Sequence, residues 1–313
     1  MRLRAIVTII ACIIVFPGSG AGQQRPLKLF ISVDMEGIGG IGTPQMTSAS
    51  GKDYALGRQL MTAEVNAVID AILERGPAEI LVNDSHGDMQ NLLHTELDPR
   101  VTYIQGAVKP YGMMEGLDAT YDGVMFIGYH ARAGTAVGFL AHTGSGAVKG
   151  LWIDGRESGE GDMNAAYAAA LGVPVLLVSG DSAVIEQLSY LNAASVTTKV
   201  AVTPQSAALR HPELVRERLA AAARSAAERA RTAGSADGDD SAAPRAGSTN
   251  ASGDDHPGAP VRVRLRFADV TSPQILEAIP GVRQVDGYTV EFEADDMSIA
   301  YRLIRLMYRF LSI

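Results

Sequence analysis

Acidic and imidazole side chains come shortly after apolar segments of strand length. Asp34 and Glu36 follow the run Leu27–Val33, and His86 and His130 each follow a later run. Successive side chains of a strand point to opposite faces, so two carboxylates two residues apart point to the same side. Two like charges held together require a cation. Because open α/β sheets bind ligands beyond the carboxyl ends of their strands, we expect these four residues to share one site.

A further acid, Glu160, begins an Ala-rich helical pattern that follows a glycine-containing segment. Aspartate, glutamate and imidazole together form a ligand set for zinc or a similar divalent cation. Five such groups exceed the three protein ligands that one catalytic zinc normally uses. The residues therefore predict a two-metal site with a bridging carboxylate. Asp34, as the first acid past its strand, is the predicted bridge.

Each of these residues taken alone has a simpler structural explanation. An Asp-x-Glu sequence after a strand is often a helix cap or a solvated turn, and His130 could be a core histidine. Asp84 and Ser85, just before His86, are interpreted as caps of a following helix. The metal site is favoured because three separate strands end in residues that are suited to bind metal.

The elements that must position these residues are visible in the apolar pattern. Strand-length apolar runs alternate with helical patterns, which predicts an α/β fold with a largely parallel sheet flanked by helices. The predicted strands are Leu27–Val33, Ile80–Val82, Val101–Ile104, Val124–Ile127 and Val173–Val178, and the predicted helices cover 54–75 and a segment from Glu160. A strand at Val261–Phe267, a partner at Tyr288–Phe292 and a last helix from about Asp296 predict a smaller C-terminal α+β portion.

The first 24 residues have the layout of a secretory signal. Arg2 and Arg4 precede a twelve-residue apolar stretch, which is followed by small residues. The stretch is shorter than a membrane span, so we expect cleavage, no stable membrane span in the mature chain, and a secreted or periplasmic protein. Lipidation at Cys12 is less favoured, because more apolar residues follow it.

The remaining chain divides by composition. Residues 25–204 are predicted to form the α/β metal-binding catalytic domain, and residues 205–231 an Ala/Arg-rich helix on the solvent side. Residues 232–258 have almost no large apolar side chain and are predicted to be a disordered insertion. Residues 259–313 would then complete the fold with strands and a helix.

Charge and cysteine content exclude several classes of function. The chain of 313 residues has a net charge of −8, which leaves no electrostatic footprint for nucleic acid. The single cysteine lies in the predicted leader, so disulfides, thiolate zinc sites and cysteine nucleophiles are excluded from the mature chain.

Six segments together resemble the zinc D-aminopeptidase (DppA-like) metallopeptidase family. They are SVDMEG (32–37), VNDSH (82–86), VKPYGMMEGLD (108–118), GYHA (128–131), the segment around His142, and GEGDMNA (159–165). The resemblance implies that two zinc ions per chain are held by Asp34, Glu36, His86, His130 and Glu160. It also implies that His142 is a catalytic or substrate-contacting residue rather than a ligand, and that the chain assembles into a ring-like homo-oligomer. The leader, the insertion and Asp162, which could perturb the metal site, depart from the family pattern.

The expected activity is that of an exported binuclear zinc aminopeptidase. It would use a metal-activated water to hydrolyse the N-terminal bond of short peptides with a D-residue first, and the C-terminal side of the substrate would matter little. Two alternatives stay open: a non-catalytic periplasmic metal- or peptide-binding protein, and a metal-dependent amidase acting on another amide. Lys109 is either a substrate contact or a solvated lysine, and Asn164 either orients substrate or caps its helix.

Overall fold

The computed structural model describes residues 25–236 and 259–310. The predicted signal peptide, 1–24, lies outside these residues, as does the part of the predicted insertion from 237 to 258. The strands are β1 (Leu27–Val33), β2 (Ala78–Asp84), β3 (Thr102–Ile104), β4 (Gly123–Tyr129), β5 (Val148–Ile153), β6 (Arg156–Ser158), β7 (Val175–Asp181), β8 (Ala194–Thr203), β9 (Ser206–Leu209), β10 (Val261–Phe267), β11 (Arg283–Asp286) and β12 (Thr289–Ala294). The α-helices are α1 (Tyr54–Leu73), α2 (Glu160–Ala170), α3 (Ser182–Gln187), α4 (Pro212–Ala236), α5 (Thr271–Leu276) and α6 (Met297–Phe310).

The larger sheet has seven strands in the order β3-β2-β1-β4-β7-β8-β9. All neighbouring pairs are parallel except β8 and β9, which are antiparallel. The central strands are buried on both faces, which explains why β1 and β4 are continuous apolar runs rather than alternating ones. In the register, Val33 pairs with both Asp84 and Ile127, so β1 and β2 end at the same level and β4 ends two residues further on. The predicted α/β fold with a largely parallel sheet is confirmed.

Two hydrophobic cores lie on opposite faces of this sheet. On one face α1 and α4 pack against the strands, burying side chains such as Val65, Val68 and Leu219. On the other face, α2 and α6 pack between the parallel sheet and a second sheet, with Met163, Tyr301 and Ile304 in the core. The site-bearing edge of the parallel sheet is therefore supported from both sides.

The second sheet is antiparallel, in the order β11-β12-β10-β5-β6. Its central strand β10 pairs with β12 on one side and with β5 on the other. β5 and β6 come from the middle of the chain, within the range predicted as the catalytic domain. The C-terminal strands and helix thus share a sheet and a core with that range.

The predicted helix over 205–231 differs from the structure in its bounds and its surroundings. Ser206–Leu209 forms strand β9 against β8, so the helix begins only at Pro212, and it continues through 232–236, where the insertion was predicted. The prediction of a solvent-side helix was wrong, because one face of α4 is buried on the sheet through Val215, Leu219, Ala223, Ala226 and Ala227. No helix within the described ranges is long and apolar enough to cross a membrane.

Candidate metal centre

The ends of β1 and β4 approach each other closely enough to bring their polar residues together. The backbone N–H of Gly37 donates to the carbonyl oxygen of Gly128 at 2.7 Å. A Cβ atom on Gly37 would lie 2.1 Å from the carbonyl oxygen of Tyr129, so only glycine fits at this crossing. The glycine of the DMEG segment therefore allows Asp34, before it, to reach His130, just after β4.

Asp34, Glu36 and His86 form the first of two groups suited to hold a metal ion. The Nδ1 atom of His86 lies 3.1 Å from Oδ1 of Asp34 and 3.0 Å from Oε2 of Glu36. Both acids are buried. Two carboxylates and one imidazole nitrogen thus converge on one point at the carboxyl edge of the parallel sheet.

His130, His142 and Glu160 form the second group. The Nε2 atom of His130 is 3.5 Å from Oε2 of Glu160, and that of His142 is 3.6 Å from the other oxygen, Oε1. The second oxygen of Asp34, Oδ2, lies 3.3 Å from Nε2 of His130. Asp34 therefore directs one oxygen toward each group.

Each of the three imidazoles is oriented by a backbone carbonyl. His86 donates from Nε2 to Thr47 O at 2.9 Å, His130 from Nδ1 to Ala131 O at 2.9 Å, and His142 from Nδ1 to Leu140 O at 2.8 Å. These bonds assign a proton to the nitrogen that donates to the carbonyl oxygen, and they turn the other ring nitrogen toward the carboxylates. Metal-binding histidines are normally held in this way.

The charges of the cluster shift the pKa values of its members strongly. Burial disfavours the charged imidazolium, but the neighbouring acids outweigh it and raise the pKa of both His86 and His130 well above the ordinary histidine value. Burial is likewise outweighed at the acids facing them: His130 lowers the pKa of Glu160 to about 2, and His86 lowers that of Glu36. At Asp34, burial and the Glu36 charge raise the pKa. The cluster thus attracts positive charge.

The donor set fits zinc. Nε2 of His130 is buried and has no hydrogen-bond partner among the residues that the structure describes, although it faces the oxygens of Asp34 and Glu160. An unpaired buried nitrogen beside two carboxylates is suited to a cation. Nitrogen and carboxylate oxygen ligands in groups of three match the composition of catalytic zinc sites.

A buried lysine holds the turn that carries Glu36. Lys199, in β8, donates through Nζ to the carbonyl oxygens of Glu36 and Ile41. Burial lowers its pKa to about 7. This residue was not predicted from the sequence, although a lysine in the middle of a strand is an unusual feature.

His142 was expected to contact substrate rather than metal, but it lies within one of the two groups suited to hold a metal ion. Its ring stacks on that of His130 with centroids 4.0 Å apart, and its side chain is 32% exposed, far more than those of His130 and Glu160. The position next to Glu160 is compatible with a ligand, while the exposure is compatible with a residue that contacts substrate.

Asp84 and Ser85 serve a different purpose from the predicted caps. Residues 86–92 form turns rather than a helix, and Asp84 accepts hydrogen bonds from the backbone of Leu92 and the side chain of Asn91. The Ser85 hydroxyl bonds that of Ser32 at 2.8 Å. These contacts stabilise the loop that presents His86.

Two residues left open by the sequence also have structural partners. Lys109 is buried, and its Nζ donates to Asn83 Oδ1 and Asp84 O, both at 2.6 Å, with a pKa lowered to about 8 by burial. Asn164 bonds Tyr129 and Tyr301 in the core. Lys109 is therefore not a solvated lysine, and Asn164 does not cap its helix.

Asp162 is directed away from both metal groups. Its carboxylate accepts from the backbone N–H of Gly159 at 2.9 Å, at the start of α2, and from the Arg156 guanidinium at 3.0 Å. Tyr190 donates to the same carboxylate. The expectation that Asp162 could perturb the metal site has no support in these contacts.

The pocket at the metal groups also contains side chains that were not predicted from the sequence. Arg305 and Tyr308 of α6 line it together with Asp34, His86, His142 and Glu160. Arg305 could have been noticed in the sequence, because it lies within the apolar stripe of the last helix, four residues after the buried Tyr301.

Comparisons with known proteins show what this chain is similar to. The family model described as D-aminopeptidase, Peptidase_M55, matches residues 27–306. A D-aminopeptidase of Bacillus subtilis (strain 168) is 34% identical over 284 residues, which make up 90% of this chain and 96% of that protein. The solved structure of the Zn-dependent D-aminopeptidase DppA from Bacillus subtilis, described as a self-compartmentalizing protease, has a TM-score of 0.80 at 31% identity. It covers 92% of this chain and 100% of its own.

Proposed function

This chain belongs to the D-aminopeptidase family of metallopeptidases, and we propose that it removes the N-terminal residue of short peptides at a centre of two zinc ions. The proposed ligands are Asp34, Glu36, His86, His130 and Glu160, and the first residue of the substrate is a D-amino acid. The zinc dependence and the D-aminopeptidase activity of the Bacillus subtilis relatives support the metal and the reaction.

The position of Asp34 between the two groups is the observation that carries the two-metal proposal. Its Oδ1 faces His86 and its Oδ2 faces His130, and these imidazoles belong to different groups. One carboxylate with an oxygen toward each group is the arrangement that holds two ions side by side. Glu36 would then complete the ligands of one ion, and Glu160 would complete those of the other.

Zinc in this position would supply a water of lowered pKa and a Lewis acid for the carbonyl oxygen. The residues of the chain orient the substrate and move protons. Because the Nδ1 proton of His142 is committed to Leu140 O, its Nε2 faces the pocket. In its protonated form Nε2 donates to the oxyanion or to the leaving amine, which is the role we assign to His142.

The metal centre also suits recognition of a free amine. An aminopeptidase must hold the N-terminal amine next to the bond that it cleaves, and zinc held by Asp34 and Glu160, which line the pocket, would bind a neutral amine. Acetylation of the substrate removes the basic nitrogen and adds bulk. We therefore expect the free amine to be required for cleavage.

We also propose that the protein is exported and acts as a homo-oligomer. The N-terminal sequence pattern supports a secreted or periplasmic location. The self-compartmentalizing description of the DppA structure supports assembly of several copies. Size-exclusion chromatography with light scattering, together with sequencing of the mature N-terminus, tests both.

Paired peptides test the activity. Zinc-loaded protein is given dipeptides and tripeptides that differ only in the chirality of the first residue, and release of that residue is measured. We expect cleavage of the D-first peptides and no cleavage of their N-acetylated forms. Equal hydrolysis of acetylated and free peptides would indicate a general amidase, and zinc binding without any turnover would indicate a binding protein.

Elemental analysis tests the number of ions. After reconstitution with zinc and removal of excess metal, we expect about two zinc ions per chain. A ratio that stays at or below one would contradict the two-metal centre while leaving zinc-dependent hydrolysis possible.

A further inference from the structure

Arg305 is a buried cation that lines the pocket, and its one recorded contact with another charged or aromatic group of the described residues is with the Tyr308 ring, 5.8 Å from the guanidinium carbon. The residue is 5% exposed, and its Nη1 has no hydrogen-bond partner in residues 25–236 and 259–310. Within the same ranges no carboxylate forms an ion pair with it. Burial of an unpaired charge is unfavourable. A cation of this kind in a pocket indicates an anion that enters from solution.

The backbone opposite Arg305 is shaped to receive its guanidinium. A Cβ atom on Gly112 would lie 1.1 Å from Nη1, so any larger residue would displace the group. Gly112 also has φ +46°, and its carbonyl oxygen accepts a hydrogen bond from Asn83 Nδ2 at 2.8 Å. The loop is thereby tied to β2, and it leaves room for the guanidinium beside Gly112. Gly112 belongs to the family-like segment 108–118, to which the proposed zinc chemistry gives no role.

The pocket therefore has two chemically different sides. The proposed metal ligands Asp34 and Glu160 lie on one side, and the guanidinium of Arg305 lies on the α6 side, with the exposed Arg309 one turn further on. A short peptide has two matching ends, an amine that zinc on the first side would bind and a carboxylate that suits a guanidinium. In a dipeptide, the C-terminal carboxylate is attached to the Cα of the second residue. This Cα lies about 3.8 Å from the Cα of the first residue, so the carboxylate is close to the cleaved bond.

We propose that Arg305 binds the C-terminal carboxylate of dipeptide-sized substrates and so makes the enzyme selective for short peptides with a free C-terminus. This inference rests on the proposed aminopeptidase function. Guanidinium groups bind carboxylates through two parallel hydrogen bonds, which gives both affinity and a defined orientation. The sequence-based expectation that the C-terminal side of the substrate matters little is revised by this assignment.

The first test uses the zinc-loaded wild-type protein. The kcat/KM for D-alanylglycine is compared with that for D-alanylglycinamide, which differs only in lacking the carboxylate charge. We expect the free acid to be preferred by about 10- to 100-fold, the scale of a charge-assisted hydrogen bond. Equal values for the two would overturn the role of Arg305. Failure to cleave either peptide would instead contradict the proposed function.

Variants then assign the preference to one side chain. Arg305→Met is expected to lower kcat/KM for the free acid by about 10- to 100-fold, mainly through KM, and to leave the amide nearly unchanged. Arg305→Lys keeps the charge without the planar fork and should recover part of the preference. Arg302→Met, an exposed arginine on the same helix, is the matched control and should behave as wild type. Equal losses for acid and amide in Arg305→Met would mean that Arg305 acts on structure or on the transition state, and would refute carboxylate binding.

A binding measurement provides a readout that does not depend on turnover. Calorimetry with a dipeptide analogue whose amide is reduced to CH₂–NH compares the free acid with its C-terminal amide. We expect the acid to bind more tightly to the wild type and this difference to vanish in Arg305→Met, with zinc content unchanged. A difference that persists in the variant would contradict the proposal.

Discussion

The two sides of the pocket are built by different means. On the metal side, Asp34, His86 and His130 come from ends of adjacent parallel strands, so one rule of sheet topology brings them together. On the opposite side, Arg305 and Tyr308 come from a helix far along the chain, which packs beside α2 through a shared core. We infer that the sheet edge determines metal binding and that the α6 side determines which substrates fit. Substitutions on the α6 side should therefore leave zinc binding intact, and substitutions on the metal side should leave the binding of the substrate carboxylate intact.

The largest effect is expected on the metal side. Asp34→Ala removes the carboxylate that faces both groups, so we expect the loss of nearly all zinc and of all measurable activity. Glu36→Ala should lose less zinc, because Glu36 contacts one group only. Elemental analysis and peptide hydrolysis check both variants, with the exposed Asp88→Ala as the matched control. Equal zinc loss in the two ligand variants would argue against Asp34 as the bridge.

Acidification should weaken zinc binding on the metal side. The raised pKa values of His86 and His130 mean that protons occupy these nitrogens in the metal-free protein up to a higher pH than in a free histidine. Zinc must displace them, so its apparent affinity should fall as the pH drops below those raised values and be unaffected above them. We expect release of about two protons per chain on zinc binding near pH 7, measured in weak buffer. Zinc binding without proton release would contradict this linkage. Asp34→Ala, which is expected to bind almost no zinc, is the control for proton release that does not come from binding.

His142 lies next to the second metal group and also lines the pocket. Its substitution tests whether it is a metal ligand or a catalytic residue. His142→Ala should retain about two zinc ions yet lose about 100-fold in kcat, the usual scale for removing a general acid or an oxyanion donor. The exposed His94→Ala is the matched control. A drop to about one zinc per chain would show that His142 is a ligand of the second group, and full activity would exclude it from catalysis.

The smallest effect is expected at Asp162. Asp162→Asn keeps an acceptor for the backbone N–H of Gly159 but loses the charge that pairs with the partly exposed Arg156. We expect about 1 kcal/mol or less of stability to be lost, with zinc content and kcat/KM unchanged. Thermal unfolding and elemental analysis provide the check. Loss of zinc would restore the idea that this acid influences the metal centre.

Much of the fold could be predicted because it depends on local patterns. β1 and β10 have the predicted bounds, and α1 and α2 begin where apolar periodicity indicated. Strand β8 was missed because its serine, threonine and lysine residues mask the apolar signal. The helix α4 was given the wrong start and the wrong environment, because its buried face is formed largely of alanines, which carry little hydrophobic signal.

The same distinction applies to the candidate site. Each predicted ligand stands at or close after a strand end or at a helix start, and the structure brings all five together, although their role as zinc ligands stays a prediction. The orienting carbonyls of Thr47, Ala131 and Leu140 could not be predicted, since any residue has a carbonyl group. Nor could the roles of Asp84 and Lys109, which depend on loops folding back onto a strand end.

The sequence by itself determined the parallel sheet and the residue types at its carboxyl edge, because strand length, alternation and chain order are local properties. Only the tertiary structure decided that Asp34 faces two imidazoles and that Arg305 enters the same pocket opposite Gly112. These arrangements depend on the register between strands and on the packing of α6, which join residues up to about 270 positions apart in the chain. Contacts over such separations follow from how whole elements pack, and no local pattern encodes them.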